Sequence, residues 1–302
     1  MESLRTPEDR FVGLPDFEFE PSYADVPDLH GGTLRMAYVE AGPADGQPVL
    51  LLHGEPTWSF LYRQMLPVLA AAGLRAIAPD LVGFGRSDKP TRITDYTTAR
   101  HVEWTRSLVF DVLDLRAVTL VGQDWGGLIG LRLAAEHPER FARIVAANAV
   151  LPTGDLPMPE VWWEFRRMVE RANPLDVSRL VASGCVGTLS DAVRAGYDAP
   201  FPGESYKAAV RAFPQLVPTA TDDPATEANR SAWAALAASD TPVLVAFSDR
   251  DPITGPTSRL FRRALPGAHG RDHPVIEGAG HFLQEDAGPV LAGHVVEFVR
   301  TT

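Results

Sequence analysis

The stretch that decides the fold is Val118-Thr119-Leu120-Val121-Gly122-Gln123-Asp124-Trp125-Gly126-Gly127. It runs from a strand pattern through Gly-x-Asp-x-Gly into a segment rich in glycine, leucine and alanine. This is the sequence context of a nucleophile elbow, a tight strand-to-helix turn that holds its central side chain above the carboxyl edge of a sheet. The central residue is Asp124 where serine is usual. A purely structural alternative is that Asp124 only caps the following helix.

Short apolar runs alternate with longer amphipathic stretches on both sides of this motif, a pattern typical of strands and crossover helices in a mostly parallel sheet. The candidate strands are Leu34–Glu40, Pro48–His53, Arg75–Pro79, Val118–Gly122, Arg143–Asn148, Val243–Phe247 and Pro274–Ile276. The candidate helices are Phe60–Ala72, Ala99–Leu113, Leu128–Glu136 and Pro289–Val299.

The pattern changes from Pro152 to about Asp240, where prolines, paired aromatics and Arg/Ala/Glu-rich helical segments replace the strand runs. Because the strand signal returns at Val243, this segment interrupts one sheet and does not begin a separate domain. We therefore expect an α/β core at residues 1–152 and 241–302, with an inserted helical cap at 153–240.

Composition excludes several classes of protein. The 302 residues carry 28 Lys and Arg against 39 Asp and Glu, a net charge of −11 that disfavours binding to nucleic acid or to an anionic membrane surface. The lone Cys185 forms no internal disulfide and no cysteine-based metal cage, so a free buried thiol is expected. The sequence has no signal-peptide pattern and no membrane span, which predicts a soluble cytoplasmic protein.

Two later segments supply the partners that a carboxylate nucleophile needs. Asp249 and Asp251 follow a late strand, where an acid that orients a histidine belongs, and His281 lies in a glycine-rich loop after the last strand. Nucleophile, acid and base thus occur in the chain order of a hydrolase triad. Asp251, just before Pro252, is the favoured acid, and Asp249 is interpreted as a solvated loop residue.

The segment after the second predicted strand, Leu51-Leu52-His53-Gly54-Glu55-Pro56-Thr57-Trp58, provides the other half of the site. Backbone N–H groups at Glu55 and Trp125 are expected to converge on one oxygen as an oxyanion hole. The Glu55 side chain is either a surface carboxylate or a hydrogen-bond partner of a catalytic water, and the sequence leaves both open.

Five motifs together resemble the haloalkane dehalogenases, enzymes of the α/β-hydrolase fold. They are His53-Gly-Glu-Pro-Thr-Trp-Ser-Phe-Leu-Tyr-Arg63, Pro79-Asp-Leu-Val-Gly-Phe-Gly-Arg-Ser-Asp-Lys-Pro90, Gln123-Asp-Trp-Gly-Gly127, Ala199-Pro-Phe-Pro202 and Gly278-Ala-Gly-His-Phe282. The resemblance extends over roughly residues 30 to 300. Gly-Glu-Pro-Thr-Trp combined with Asp-Trp-Gly-Gly is its most specific part.

The resemblance implies hydrolysis of small haloalkanes to alcohol and halide. Asp124 would attack the halogen-bearing carbon and form an alkyl ester, and His281, oriented by Asp251, would take a proton from the water that hydrolyses the ester. The N–H groups of Glu55 and Trp125 would stabilise the oxyanion. A carboxylate suits this role because it is ionised at neutral pH without a base. Neither metal nor organic cofactor is implied.

The resemblance also implies two donors for the departing halide. The indole N–H of Trp125, beside the nucleophile, is one. Some relatives have asparagine where this chain has Glu55, so the second donor is expected from the cap, as in relatives with Glu in the oxyanion loop. Trp163 matches best, and the adjacent Trp162 is the alternative. The other tryptophans are interpreted as packing residues: Trp58, Trp104 and Trp233.

Epoxide hydrolases are the nearest rival, because they share the fold, the Asp-Trp pair and the histidine, and differ in cap tyrosines that protonate the epoxide. Tyr197 and Tyr206 are the candidates for that role. Fluoroacetate-type dehalogenases rank third, since no arginine lies near Asp124 in the sequence. A catalytically silent binding protein of this fold is the alternative of another class. The expected partners are a small haloalkane, water and halide, with a monomer as the default assembly.

Overall fold

A computed structural model describes the whole chain from Met1 to Thr302. The strands are β1 (Ser3–Leu4), β2 (Pro21–Pro27), β3 (Thr33–Ala41), β4 (Pro48–Leu52), β5 (Arg75–Pro79), β6 (Lys89–Pro90), β7 (Val118–Gln123), β8 (Phe141–Ala149), β9 (Val243–Val245), β10 (Phe247–Ser248) and β11 (Val275–Ile276). The α-helices are α1 (Leu66–Ala71), α2 (Thr98–Arg106), α3 (Asp124–Glu136), α4 (Glu160–Arg171), α5 (Val177–Ser183), α6 (Asp191–Asp198), α7 (Ala208–Leu216), α8 (Thr226–Ala237), α9 (Ser258–Ala264) and α10 (Leu283–Thr301).

Seven strands form the central sheet in the order β2-β3-β5-β4-β7-β8-β9. Five neighbouring strands run parallel, namely β5, β4, β7, β8 and β9. Strand β3 is antiparallel to both of its neighbours. Strand β7 lies near the middle and is buried along its whole length, so its carboxyl end opens onto the centre of one sheet edge. Ligand sites in open α/β sheets form at this edge. The expected α/β-hydrolase fold with a mostly parallel sheet is confirmed.

All seven predicted strands are present, and the sequence reading missed three more. The longest of these is β2, which pairs with β3 at the sheet edge. Only Ala24 and Val26 of β2 are buried, and prolines stand at both ends, which an edge strand tolerates because its outer N–H groups need no partner. This short alternation inside a proline-flanked polar segment gave too weak a strand signal.

The predicted helices exist with shifted boundaries. Helix α3 begins at Asp124 and not at Leu128, because Gly126 and Gly127 stay helical despite their low propensity. The segment predicted as Phe60–Ala72 divides into a 3-10 turn at Ser59–Tyr62 and helix α1. Helix α2 continues as a π-helical turn over Ser107–Val112.

Between the end of β8 and the start of β9 the chain forms five α-helices, α4 to α8, and no strand. Helices α4 and α7 pack against each other, as do α5 and α6, while α8 packs against α3 of the sheet layer. The division of the chain into a core and an inserted cap remains a proposal. No helix is both long and apolar enough to cross a bilayer.

Candidate active site

Asp124 occupies the tight turn between β7 and α3, with a backbone φ of 52°. A positive φ is costly for a residue with a side chain and is found where the surrounding structure enforces it, often at functional sites. The turn depends on close backbone contact: a Cβ atom on Gly126 would lie 2.0 Å from the carbonyl oxygen of Leu52, and one on Gly122 would lie 2.7 Å from the Cα of Gly127. These two flanking positions therefore require glycine.

The carboxylate of Asp124 does not cap helix α3, which has no side-chain cap at its N-terminus. Its Oδ1 atom instead accepts a hydrogen bond of 2.9 Å from the backbone N–H of Glu55, in the loop after β4. The alternative interpretation of Asp124 as a helix cap is therefore wrong. The N–H of Trp125, the second expected oxyanion donor, follows in the first turn of α3 and makes no hydrogen bond to the Asp124 side chain.

His281 lies in the loop after β11 and faces two carboxylates. Its Nδ1 is 2.9 Å from Oδ2 of Asp251, and its Nε2 is 3.5 Å from Oδ2 of Asp124. Asp251 is itself fixed, because its Oδ1 accepts from the N–H groups of Ile253 (2.9 Å) and Thr254 (3.2 Å). The structure thus brings Asp124, His281 and Asp251 together in the predicted order.

Asp249 does not reach His281. Its carboxylate is exposed and accepts a hydrogen bond of 3.2 Å from the N–H of Ala279. Of the two acids after β10, the structure places only Asp251 beside the histidine.

The opposite charges of His281 and the neighbouring carboxylates control the pKa values of His281 and Asp251. Burial opposes the charged form of His281, yet the charge of Asp251 and the interaction with the Asp124 carboxylate outweigh it and raise the pKa of His281 to about 10. Burial would likewise raise the pKa of Asp251, but the charge and hydrogen bond of His281 lower it to about 2. With Asp124 ionised, the site therefore favours an imidazolium between two carboxylates.

Asn148, the penultimate residue of β8, ties the acid and histidine loops together. It is fully buried at φ 41°; its Nδ2 donates to Oγ of Ser248 (2.8 Å) and the carbonyl of Gly280 (2.9 Å), and its Oδ1 accepts from the N–H of Ser248 (2.9 Å). Sequence reasoning treated Asn148 only as the end of a strand. The sequence feature that could have identified it is a polar residue at the end of an otherwise apolar strand.

An apolar cavity of about 590 Å³ lies above the carboxyl edge of the sheet. Glu55, Asp124, Trp125 and His281 line it from the loops that follow the sheet strands. Helices α4, α5 and α7 and the residue that follows α7 line it from the other side, with mostly apolar side chains: Val161, Trp162, Phe165, Met168, Leu180, Pro214 and Val217. Asp124 is thus the nucleophile-type group at the base of a largely apolar chamber.

The two tryptophans of helix α4 differ from the prediction. Trp162 is 5% exposed and lines the cavity, whereas Trp163 is half-buried and does not line it. Trp162 lies on the face of α4 that also carries Phe165, whereas Trp163 is turned about 100° further round the helix. Trp163, the expected cap donor, therefore lies outside the chamber lining, and Trp162, the alternative, lies within it.

The remaining tryptophans have structural roles, as predicted. The indole N–H of Trp58 donates to the carbonyl of Gly196 (3.1 Å), and that of Trp233 donates to the carbonyl of Leu151 (2.7 Å). Trp104 is buried in the core. Trp125 also lines the cavity and packs against Phe213, with ring centroids 4.6 Å apart. Its indole N–H has no hydrogen-bond partner, nor has that of Trp162.

Glu55 is not a surface carboxylate. It is 5% exposed, lines the cavity, and its Oε1 is buried without a hydrogen-bond partner. Burial and the neighbouring charge of Asp124 raise its pKa well above the usual value. The shift favours the neutral carboxyl, a form that can donate an O–H group to the chamber as well as accept.

The two tyrosines of the rival interpretation do not line the chamber. Tyr197 is fully buried and donates to Oε2 of Glu285 at 2.5 Å, while Tyr206 packs against the core, and neither lines the cavity.

Cys185 lines the cavity but is half-buried, whereas a buried thiol was expected. Its thiol donates to the carbonyl of Val181, and burial raises its pKa. No three His, Cys, Asp or Glu side chains cluster as a metal site.

Comparison with known proteins shows which family has this fold and a similar sequence. Residues 47–288 match the family model described as alpha/beta hydrolase fold. The haloalkane dehalogenase of Psychrobacter cryohalolentis is 51% identical over 300 residues, covering 99% of each chain. Haloalkane dehalogenase 1 of Mycobacterium tuberculosis is 53% identical over 305 residues, covering 100% of each chain.

Solved structures agree with these relatives. The tetrameric structure of a haloalkane dehalogenase from Paraglaciecola agarilytica superimposes with a TM-score of 0.89 and 36% identity, covering 97% of both chains. These relatives, of about half-identical sequence over the full length, and the matching solved structure establish that this chain belongs to the haloalkane dehalogenase family, hydrolases of carbon–halogen bonds.

Proposed function

We propose that this protein hydrolyses small haloalkanes to alcohol and halide through an ester on Asp124. The observation that carries the proposal is the position of Asp124: an ionised carboxylate at the base of an apolar chamber, with Oδ1 held by the N–H of Glu55 and Oδ2 facing His281. An apolar chamber favours an uncharged alkyl substrate, and the carboxylate is the group in it suited to attack saturated carbon.

In the first step, Oδ2 of Asp124 attacks the carbon that bears the halogen. A carbon–oxygen bond forms, the carbon–halogen bond breaks, and its electron pair leaves with the halide. The Glu55 N–H fixes the carboxylate so that Oδ2 is the free oxygen. Attack by a preformed carboxylate needs no proton transfer, so His281 has no part in this step.

In the second step, a water oxygen attacks Cγ of the Asp124 ester while one water proton passes to Nε2 of His281. The resulting oxyanion lies at the N–H groups of Glu55 and Trp125. Collapse of this intermediate breaks its bond to the alkoxy oxygen, which takes the remaining proton of the added water and leaves as the alcohol, so that Asp124 returns as a carboxylate. His281 then releases its proton to solvent. Asp251 keeps Nδ1 protonated and the ring oriented.

Halide departs toward the indole N–H groups of Trp125 and Trp162, both of which line the chamber without another partner. Two directed donors on apolar rings bind an anion without filling the chamber with water. The buried Glu55 carboxyl, whose Oε1 has no other partner, holds the attacking water near Cγ, the second of the two roles open for this residue. No step uses a metal or an organic cofactor.

Substrate enters and alcohol leaves beside α4 and the loop after α5. Three cavity-lining side chains there are more than a third exposed, namely Val161, Met168 and Val186. The apolar rim suits small halogenated alkanes. Residues 153–240 act in this proposal as the cap, and residues 1–152 and 241–302 as the catalytic core.

We further infer that the protein works in the cytoplasm. Its net charge of −11 disfavours nucleic-acid and anionic membrane partners. A monomer is the simplest catalytic unit, because all proposed site residues belong to one chain. The tetrameric relative provides the alternative assembly. Size-exclusion chromatography with light scattering distinguishes a monomer from a tetramer.

The epoxide hydrolase alternative lacks its acids in this geometry, because Tyr197 is engaged with Glu285 outside the chamber. A silent binding protein is disfavoured by the assembled Asp124, His281 and Asp251.

The test is halide release from purified protein with 1-bromobutane and 1,2-dibromoethane, beside Asp124→Ala and beside styrene oxide. We expect bromide and alcohol from the parent protein and neither from the variant. Asp249→Ala, which changes the neighbouring loop acid, is the matched control and should retain activity. Diol from the epoxide without bromide would reassign the reaction, and no turnover of either class would support the binding-protein alternative.

A further inference from the structure

Gln123, the residue before the nucleophile, makes an unusual double contact with His281. It is the last residue of β7 and is fully buried. Its amide nitrogen lies 3.1 Å from the backbone carbonyl oxygen of His281 and 3.2 Å from Nε2 of the same residue. One amide group therefore contacts both the main chain and the ring of the proposed base, at the atom that would receive the proton.

The carbonyl of His281 decides which end of the amide faces the ring. An amide nitrogen only donates and an amide oxygen only accepts. If the Gln123 side chain were flipped, its oxygen would lie 3.1 Å from another carbonyl oxygen, with no hydrogen between them. The NH₂ group must face His281, so its second N–H is directed at Nε2 and requires a lone pair there.

This requirement is met by one form of His281, the neutral ring with its proton on Nδ1. Nδ1 already lies 2.9 Å from the carboxylate of Asp251, which holds a proton at that nitrogen. In the imidazolium form Nε2 also carries a hydrogen, and the Gln123 N–H would then face a second donor. Gln123 therefore stabilises the form that can accept a proton from water.

The charged and titratable groups around His281 act in the opposite direction or lie further off. Asp251 and Asp124 both stabilise the imidazolium, and Glu55 is close enough to interact with it. Cys185, Glu164 and Arg250 line the same chamber. Among the groups in hydrogen-bond contact with Nε2, Gln123 is the one that opposes its protonation.

We propose that Gln123 is a positioning residue for ester hydrolysis, holding His281 in the neutral form whose Nε2 accepts the water proton. The inference rests on the function proposed above. It matters most in the ester intermediate, where Asp124 has lost its negative charge and the balance at Nε2 is between Asp251 and Gln123. At 3.2 Å the Gln123 contact is at the long end of the hydrogen-bond range, so the attacking water can replace it.

The test compares Gln123→Met with Gln284→Met. Methionine keeps the length of the side chain and removes both donors. Gln284 is also fully buried, has an unpartnered Oε1, and contacts the hydroxyl of Tyr62 and not the histidine. It is therefore a matched control for the loss of a buried amide.

The first readout is the pH dependence of ester hydrolysis, measured by single-turnover kinetics with 1-bromobutane. Loss of one hydrogen bond to the neutral ring should shift the acid limb of hydrolysis upward by about one pH unit. The rate of ester formation should stay within about twofold of the parent, since His281 does not act in that step. The control, Gln284→Met, should change neither the acid limb of hydrolysis nor the rate of ester formation.

The second readout needs no turnover. NMR titration of His281 in the Asp124→Asn background, in which residue 124 is uncharged as in the ester, should give a pKa about one unit higher when Gln123→Met is added. If Gln123→Met fails to fold, Gln123→Glu replaces it, with a larger upward shift expected because a carboxylate accepts from Nε2. Titration curves that coincide would overturn the proposal, and they would do so even if no haloalkane were a substrate.

Discussion

Nε2 of His281 lies 3.5 Å from Oδ2 of Asp124, on the side of the carboxylate away from the N–H of Glu55. The separation is longer than a good charge-assisted hydrogen bond. It leaves Oδ2 free to attack a substrate first and leaves the ring near Cγ for the water that follows. One histidine position thereby serves the second step without blocking the first.

Replacing the base should separate the two steps. In His281→Gln the attack by Asp124 needs no proton transfer and proceeds, whereas hydrolysis loses its base. We expect the alkyl ester to accumulate, with the protein mass increased by the butyl group after incubation with 1-bromobutane. Peptide mass spectrometry should locate this mass on the peptide containing Asp124. A His281→Gln/Asp124→Asn double variant is the control, and added mass in it would place the ester elsewhere.

The halide donors can be distinguished by single substitutions. Trp125→Phe and Trp162→Phe each remove an indole N–H from the chamber and should weaken chloride or bromide binding roughly tenfold, the equivalent of one hydrogen bond to a charged group. The measurement is halide quenching of tryptophan fluorescence. Trp163→Phe is the matched control on the same helix, because Trp163 does not line the chamber. Weaker binding in Trp163→Phe with no change in Trp162→Phe would reverse the assignment.

Asn148 should be important for stability because it satisfies buried polar groups in two loops. Asn148→Ala leaves the buried N–H of Ser248 without a partner, which costs about 1–3 kcal/mol, and also removes one of the two donors to the carbonyl of Gly280. We expect the free energy of unfolding to fall by about 3 kcal/mol in urea denaturation. Gln215→Ala, at an exposed amide, should change it by less than about 0.5 kcal/mol. Equal stability of the two variants would contradict the bridging role.

The charge pairing at His281 should appear in the pH dependence of stability. Its folded pKa, raised to about 10, lies above the unfolded value of about 6.5. The stabilisation is therefore complete below pH about 6.5 and is lost as the pH rises toward 10. Asp251, with a folded pKa of about 2, contributes stability that is complete above pH about 4 and is lost on acidification.

Urea denaturation of the parent and of His281→Gln across pH 6 to 10 checks the alkaline part of this prediction. The difference in unfolding free energy between them should shrink steadily over that interval. A difference that stays constant would mean that the ring is neutral throughout, with Asp251 serving only as its hydrogen-bond acceptor.

Local sequence determined much of this site. Gly-x-Asp-x-Gly after an apolar run predicts the turn at Asp124, because the steric requirements of that turn exclude side chains on both flanking residues. The order of Asp124, Asp251 and His281 follows from strand ends, since parallel strands bring the residues that follow them to one edge. The same reasoning predicts the N–H of Glu55 at Asp124.

Tertiary structure decided what depends on direction and burial. The rotation of α4 about its own axis decides which of its tryptophans faces the chamber. This angle is set by packing against neighbouring helices and cannot be predicted from the two adjacent residues alone. The raised pKa of Glu55 arises from burial beside Asp124, and the bridging role of Asn148 arises from loops about 100 and 130 residues away in the chain. The contacts of Gln123 with His281 are likewise visible only in the fold, because hydrogen bonds across such separations depend on packing and not on local pattern.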